Sequence, residues 1–283
     1  MAQSSDDTLV IRDITDNITT LSVPFTIPGG LKAGGRTTIV KLLSGSLAVF
    51  SPIRLTEKVK QKIRSLGRVL FITVLNLEHH LFLSDWANEY TDAIIIGMEG
   101  LSEKRSERKD IETIKFTHVI STTNETKGVH AAFDAEFEYE FMAASRNKDV
   151  VFHHKPSATL IQADILFNLP ALEQYSLVSK TDSGILTRIF NKVLTTKGSL
   201  LGQKIILWYS VAQNKEDFAK STTIIGEWAF DRMIPCHGDV IETGARSIFR
   251  SATDWFTVKE GSPHHELTSH CLAHPFEYRN QHK

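Results

Sequence analysis

Two cysteines, Cys236 and Cys271, in 283 residues are too few for a disulfide framework, and that fits a reducing compartment. No apolar run approaches the roughly 18 residues of a membrane span. The start, "MAQSSDDTLVIRD", carries acidic residues where a secretory leader has a basic and then an apolar stretch. Charge of one sign is missing too. Lys+Arg (32) nearly balance Asp+Glu (33), so a formal charge of -1 shows no footprint for nucleic acid or an anionic membrane. Neither an internal repeat nor a Pro/Ser-rich linker divides the chain. The expectation is a soluble, cytoplasmic protein acting on a small molecule, with homo-oligomerisation left open.

Hydrophobic residues make up 41% of the chain, enough for a large core, and their spacing shows how it is built. "TLVIRDI", "ITTLSVPF", "RTTIVKLL" and "SLAVFSP" read as antiparallel strands around the Gly-rich turn "PGGLKAGG", which matches neither nucleotide-binding fingerprint. Leu55, Val59, Ile63 and Leu66 then recur at helical spacing between the cap Thr56 and the stop Gly67. The strand "VLFITVL", the helical "HHLFLSDWANEYT" and the strand "AIIIG" complete a β-α-β unit, whose ligands collect at strand carboxyl ends. Further on, "AEFEYEF" alternates, which puts Phe137, Tyr139 and Phe141 on one face and Glu136, Glu138 and Glu140 on a wet one. Later segments, "SGILTRIFNKVL", "LGQKIILWYSVAQ", "EDFAKSTTIIGEWAFDR" and "IETGARSIFRSATDWF", are helical, and those between 182 and 230 are placed to form a lid over the sheet rim.

Twelve histidines are the unusual content. Four places put metal-capable side chains just after a strand: His79/His80 with Asp85, His153/His154 after "DVVF", Asp164 after "TLIQA", and His237 after "MIPC". Zinc takes imidazole nitrogen and carboxylate oxygen, and strand ends can converge at one rim of a sheet. The plainer alternative is that these residues satisfy loop backbone groups. Adjacent Cys236 and His237 are poorly placed as a nucleophile and its base, and "SATLIQAD" lacks the Gly-flanked elbow of a serine hydrolase. The tail "HHELTSHCLAH" lacks the spacing of a structural zinc module.

The order "VLFITVLNLEHHLFLSDWANEYTDAIIIGMEGL", "VVFHHKPSATLIQADILFNL", "IPCHGDVI" resembles a domain-of-unknown-function family within the metallo-β-lactamase-fold superfamily. The resemblance covers most of residues 20 to 258, leaving a His-rich extension over 259–283, and implies one αββα four-layer sandwich over 1–283. It makes Asp164 the bridging aspartate and His237 the late metal-binding histidine. The family's paired histidines, separated by one residue and followed by Asp-His, should stand where this chain has "NLEHHLFLSD". There Asn76 and Glu78 hold the alternating positions, and Asp85 is followed by Trp86. The resemblance therefore implies an altered site: His80, His154, Asp164 and His237 as ligands of one zinc or other divalent transition metal, with His80, Asp164 and His237 catalytic. His79, Asp85, Asn76, Glu78, His153 and Asp239 are its candidate supporting or substrate-binding residues. The implied activity is hydrolysis of a small ester, lactone or thioester by a metal-activated water. The alternatives are a non-hydrolytic binding or structural module, and a metal-independent acid/base enzyme using His80 or His237.

Overall fold

The computed structural model describes residues 6–27, 30–123, 128–178 and 184–257, so the His-rich tail and Cys271 lie outside the described residues. The expected hairpins form β1 (Val10–Thr15), β2 (Ile18–Val23), β3 (Thr26–Ile27), β4 (Leu31–Lys32), β5 (Gly35–Lys41) and β6 (Leu47–Phe50). Helix α1 (Glu57–Leu66), capped by Thr56, then returns the chain so that β7 (Val69–Thr73) runs parallel to β6. After α2 (Leu83–Glu89) come β8 (Ile94–Met98), α3 (Leu101–Ser106) and β9 (His118–Ile120), again in parallel pairing. Strands β1, β2, β5, β6, β7, β8 and β9 form one sheet of seven in that order, and β3 and β4 pair separately.

The second sheet has four strands. After the short helix α4 (Ala131–Asp134) come β10 (Phe137–Met142), β11 (Asp149–His154) and β12 (Thr159–Gln162), antiparallel in turn. Helices α5 (Ile185–Val193), α6 (Leu201–Ile206) and α7 (Lys215–Glu227) then lead to β13 (Arg232–Pro235), which pairs parallel with β12, and α8 (Ala245–Thr257) follows. Strand periodicity of two decides the layering. Phe152 and Ile161 point to the first sheet, where the Phe50 ring stands 5.1 Å from Phe152 and 5.2 Å from Phe137. Val151, Leu160 and Met233 point the other way, into a cluster with Phe218 of α7 and Phe249 of α8. Val59 and Ile63 of α1 and Trp86 of α2 belong to the core of the first sheet. The result is the expected αββα sandwich.

Two local readings change. The glutamates before and along β10 do not form a wet face: Glu136 is buried and accepts from the Leu43 amide (2.9 Å), while Glu140 accepts from Ser221 of α7 (2.6 Å). The strand "TLIQADILFN" stops at Gln162 because that buried side chain accepts from the Ile165 and Leu166 amides and donates to the Leu166 carbonyl. A side chain thus satisfies the backbone that a further ladder would have satisfied, and the bend swings Asp164 out of the strand.

Candidate metal centre

Asn76 is the hinge of the site. Fully buried three residues after β7, it accepts from the Glu78 and His79 amides (2.9 and 3.2 Å) and donates to Asp149 Oδ1 (2.9 Å) and Asp164 Oδ2 (2.7 Å). The turn so made presents His79, whose Nδ1 meets Ser51 Oγ at 2.8 Å. Ser51 itself follows β6, so two neighbouring parallel strands bring it and His79 together at their carboxyl ends. Asn147 adds a second donor to Asp164 Oδ2 at 3.0 Å.

His237 arrives from β13 on a loop clamped from both sides. Buried Arg36 donates through Nη1 to the Pro235 and Gly238 carbonyls (both 2.7 Å), and buried Gln174 donates to the Cys236 carbonyl (2.8 Å) while accepting from the Gly238 amide (3.0 Å). Gly238 has φ +88, and a Cβ there would lie 2.2 Å from the Asn168 carbonyl oxygen, so the approach admits only glycine. The His237 ring is stacked on Phe167 (5.2 Å, 9°) and, more loosely, Phe25 (6.1 Å, 21°). Its Nδ1 lies 2.6 Å from the Gly34 carbonyl, which can only accept. Nδ1 therefore carries the proton and Nε2 keeps a lone pair.

These side chains converge on one atom. Asp164 Oδ1 lies 3.3 Å from His237 Nε2 and 3.6 Å from His79 Nε2, and the three donor atoms all fall within 4.8 Å of one another. Asp164 Oδ1 is buried and has no hydrogen-bond partner among the described residues, while Oδ2 has two. Burial pushes the Asp164 carboxyl up, but the positive charge of His79, with His237 beside it, outweighs this and holds the group well below the usual carboxylate range. Burial likewise pushes His79 down, and the nearby Cys236 and Asp164 more than reverse this, so its imidazolium persists well above 6.5. Asp149, behind Asn76, is raised to about 6 by burial and by the charge of Asp164.

An orphaned buried carboxylate oxygen between two Nε2 atoms, each ring anchored through Nδ1, fits one divalent transition-metal ion. Two imidazoles and one carboxylate are a donor set suited to zinc, iron or manganese, and three protein ligands are the number a catalytic ion takes when water completes its coordination. Among the described residues this is the one grouping of three or more His, Cys, Asp or Glu side chains so arranged.

The geometry departs from the expected ligand set. His80 is turned into the protein, where its Nδ1 lies 3.3 Å from buried Arg105 of α3, and burial followed by that positive charge lowers it to about 4. His154 is excluded by strand direction: β11 runs antiparallel to β12, so His154 pairs with Thr159 at the start of β12, whereas Asp164 follows its end. There it meets Ser157 Oγ (2.7 Å) and Glu136 (3.3 Å), and burial lowers its basicity despite the glutamate. His153 faces the outer helices, 2.6 Å from Glu138 and stacked on Trp228. Asp85 is exposed on α2, and Glu78 is exposed and pairs with Lys104 (3.0 Å). Asp239 accepts from the Glu173 amide (2.9 Å), one turn beyond the cluster. Ser51, Asn147, Asp149, Arg36, Gln174 and Phe167 were not singled out from the sequence. Only Ser51 carried a usable signal, since it too stands directly after a strand.

The family model described as Domain of unknown function (DUF4336) matches residues 30–197, more than half of the chain. The chain belongs to this family. Comparison with curated proteins gives no match. Among solved structures, the fold is similar to DIM-1 metallo-beta-lactamase exposed to ceftazidime, with TM-score 0.55 and 14% identity over 87% of this chain and 97% of that one. It is also similar to the metallo-beta-lactamase from Pontibacter korlensis (TM-score 0.56, 10% identity, 89% and 100% covered). A third similar structure is the metallo-beta-lactamase FIM-1 from Pseudomonas aeruginosa in its mono-zinc form (TM-score 0.55, 8% identity, 88% and 95% covered). At these identities the likeness establishes the metallo-β-lactamase fold for this DUF4336 chain, and the fold alone.

Proposed function

We propose that this DUF4336 protein is a hydrolase of a small ester, lactone or thioester that works with one divalent transition metal held by His79, Asp164 and His237. The observation that carries the proposal is the Asp164 Oδ1 atom, buried without a hydrogen bond between two histidine Nε2 atoms. When bound, such an ion supplies Lewis acidity and brings the pKa of a coordinated water to roughly 7. The chain's own contributions are distinct. The Gly34 carbonyl and Ser51 hydroxyl fix the two imidazoles with Nε2 facing inward, and Asn76 and Asn147 fix the carboxylate through its other oxygen. Phe25 and Phe167 flank the His237 ring and hold its plane.

Three donors support one ion rather than two. Asn76, at a position where the resemblance implies a histidine, spends all its hydrogen-bonding groups on Asp149, Asp164 and the backbone, and Glu78 points to solvent. The similar FIM-1 structure, in its mono-zinc form, is in keeping with a single ion. The test is metal analysis of tag-free protein purified without chelator, followed by assay against a panel of esters, lactones and thioesters. Near-stoichiometric metal and hydrolysis lost to chelator are expected, and both should disappear in Asp164→Asn and His237→Gln. Substoichiometric metal with hydrolysis indifferent to chelator sinks the proposal.

A further inference from the structure

Helices α5 and α6 pack Phe190 and Ile206 inward against a small cluster, yet set Ile185, Leu186, Ile189, Leu201 and Ile205 outward. Ile185 is 77% exposed and Ile189 53%, with Leu186 beside them, while the buried residue of α5 is a threonine, Thr187. The next helix repeats the pattern: Leu201 and Ile205 face solvent, Tyr209 follows one turn on at 70% exposed, and the buried residue is Gln203. A surface helix ordinarily does the reverse, setting its apolar stripe against the core. The two helices touch at adjoining ends, since a Cβ on Gly202 would lie 2.3 Å from the Val193 carbonyl oxygen. An exposed apolar area of this kind marks a contact surface.

Charge says what it contacts. From Gly184 to Asn214 the chain has four basic residues and no acidic one, although the whole protein is balanced at -1. Lys204 is taken up by Asp254 at 2.7 Å. Arg188, Lys192 and Lys197 form no ion pair among the described residues, and Arg188 and Lys192 stand one turn apart along the edge of the α5 stripe. Apolar side chains flanked by unpaired cations match the chemistry of an anionic bilayer, which offers hydrocarbon beneath a negatively charged surface. A second copy of the same face would oppose cation to cation.

We propose that the α5–α6 face docks peripherally on membranes containing anionic phospholipid. None of the described helices is long and apolar enough to cross a membrane, so the contact is with the interface only. The opposite, buried side of α6 reaches the candidate metal centre: Gln203 donates to the Phe167 carbonyl at 2.6 Å, and the Phe167 ring is the one stacked on His237. Docking itself needs no metal.

The test is co-sedimentation of the full chain with phosphatidylcholine vesicles, with and without phosphatidylserine, combined with sedimentation equilibrium in their absence. Binding is expected only with phosphatidylserine, weakening as salt rises. It should fall at least about tenfold in Arg188→Glu/Lys192→Glu and in Ile185→Ser/Ile189→Ser, changes on an exposed surface that keep the circular dichroism spectrum and melting temperature. Asp164→Asn should bind vesicles like the unaltered protein, so failure of the metal reading leaves this outcome readable. No binding to either vesicle, binding unchanged in both double variants, or a dimer abolished by Ile185→Ser/Ile189→Ser overturns the proposal.

Discussion

Each of the three proposed donors is held by an atom that a bound metal would not use, and that separation makes ligand and support distinguishable by mutation. Ser51→Ala and Asn147→Ala leave every donor in place but release one ring or one carboxylate oxygen, so metal affinity should fall about 10–100-fold. Competition with a chromophoric chelator measures it. His80→Gln tests the departure from the sequence expectation, because His80 is adjacent to a donor yet faces Arg105. It should leave affinity within about threefold of the unaltered protein, a change smaller than any supporting-residue effect. Equal losses in His80→Gln and His79→Gln would show that the wrong histidine of the pair has been assigned. Proton linkage adds a second readout. Asp164 is already ionised, but His79 must give up a proton that its surroundings hold well above 6.5. Below that point log affinity should rise by about one unit per pH unit, one proton leaving per ion bound.

Strand direction is what the residue pattern could not supply. Alternating and apolar runs identify where β7, β8, β11 and β12 lie, and the rule that ligands gather at carboxyl ends points to the region where His79, Asp164 and His237 cluster. The same rule fails for His154, since a run of apolar residues looks alike whether its partner is parallel or antiparallel, and β11 is antiparallel on both sides. Choosing between His79 and His80 also lay beyond the sequence, for it depends on the turn that Asn76 closes. The polar clamps escaped for another reason: Arg36, distant in sequence from the loop it holds, looks like any strand arginine until it is seen to be 2% exposed. Its value is open to measurement. Arg36 pairs with Glu173 (3.2 Å) while bracing the Pro235–Gly238 turn. Arg36→Ala leaves that carboxylate and two carbonyls without their buried donor, so unfolding free energy should drop by about 3–5 kcal/mol, with metal affinity lost alongside. A urea titration showing less than about 1 kcal/mol would mean that the loop is held by Gln174 alone.

At the scale of the whole molecule, the pH dependence of stability separates the metal-free protein from its loaded form. Groups whose protonation differs between folded and unfolded states set the slope. His80, His118 and His154 have folded pKa values pushed down by burial, so each adds stability as pH rises toward 6.5. Asp149, raised to about 6, subtracts over the range from 3.8 to 6. Above 6.5 these terms are spent. His79 then dominates with the opposite sign from the other histidines: its folded pKa lies above its unfolded one, so its contribution is complete below 6.5 and is lost as pH climbs through the folded value. Metal-free protein should therefore be most stable near pH 6.5 and decline as pH rises through the folded pKa of His79. A metal ion bound by the proposed site would take the place of the His79 proton, so loaded protein should escape the decline. The stabilisation by metal, which grows with the logarithm of free ion over dissociation constant, should be larger at about pH 8 than at about pH 5. Melting temperatures across this range, with chelator and with added zinc, are the measurement. His79→Gln should flatten the alkaline decline and remove the zinc effect together; if only one of the two responds, the proton and the metal are not competing for the same imidazole.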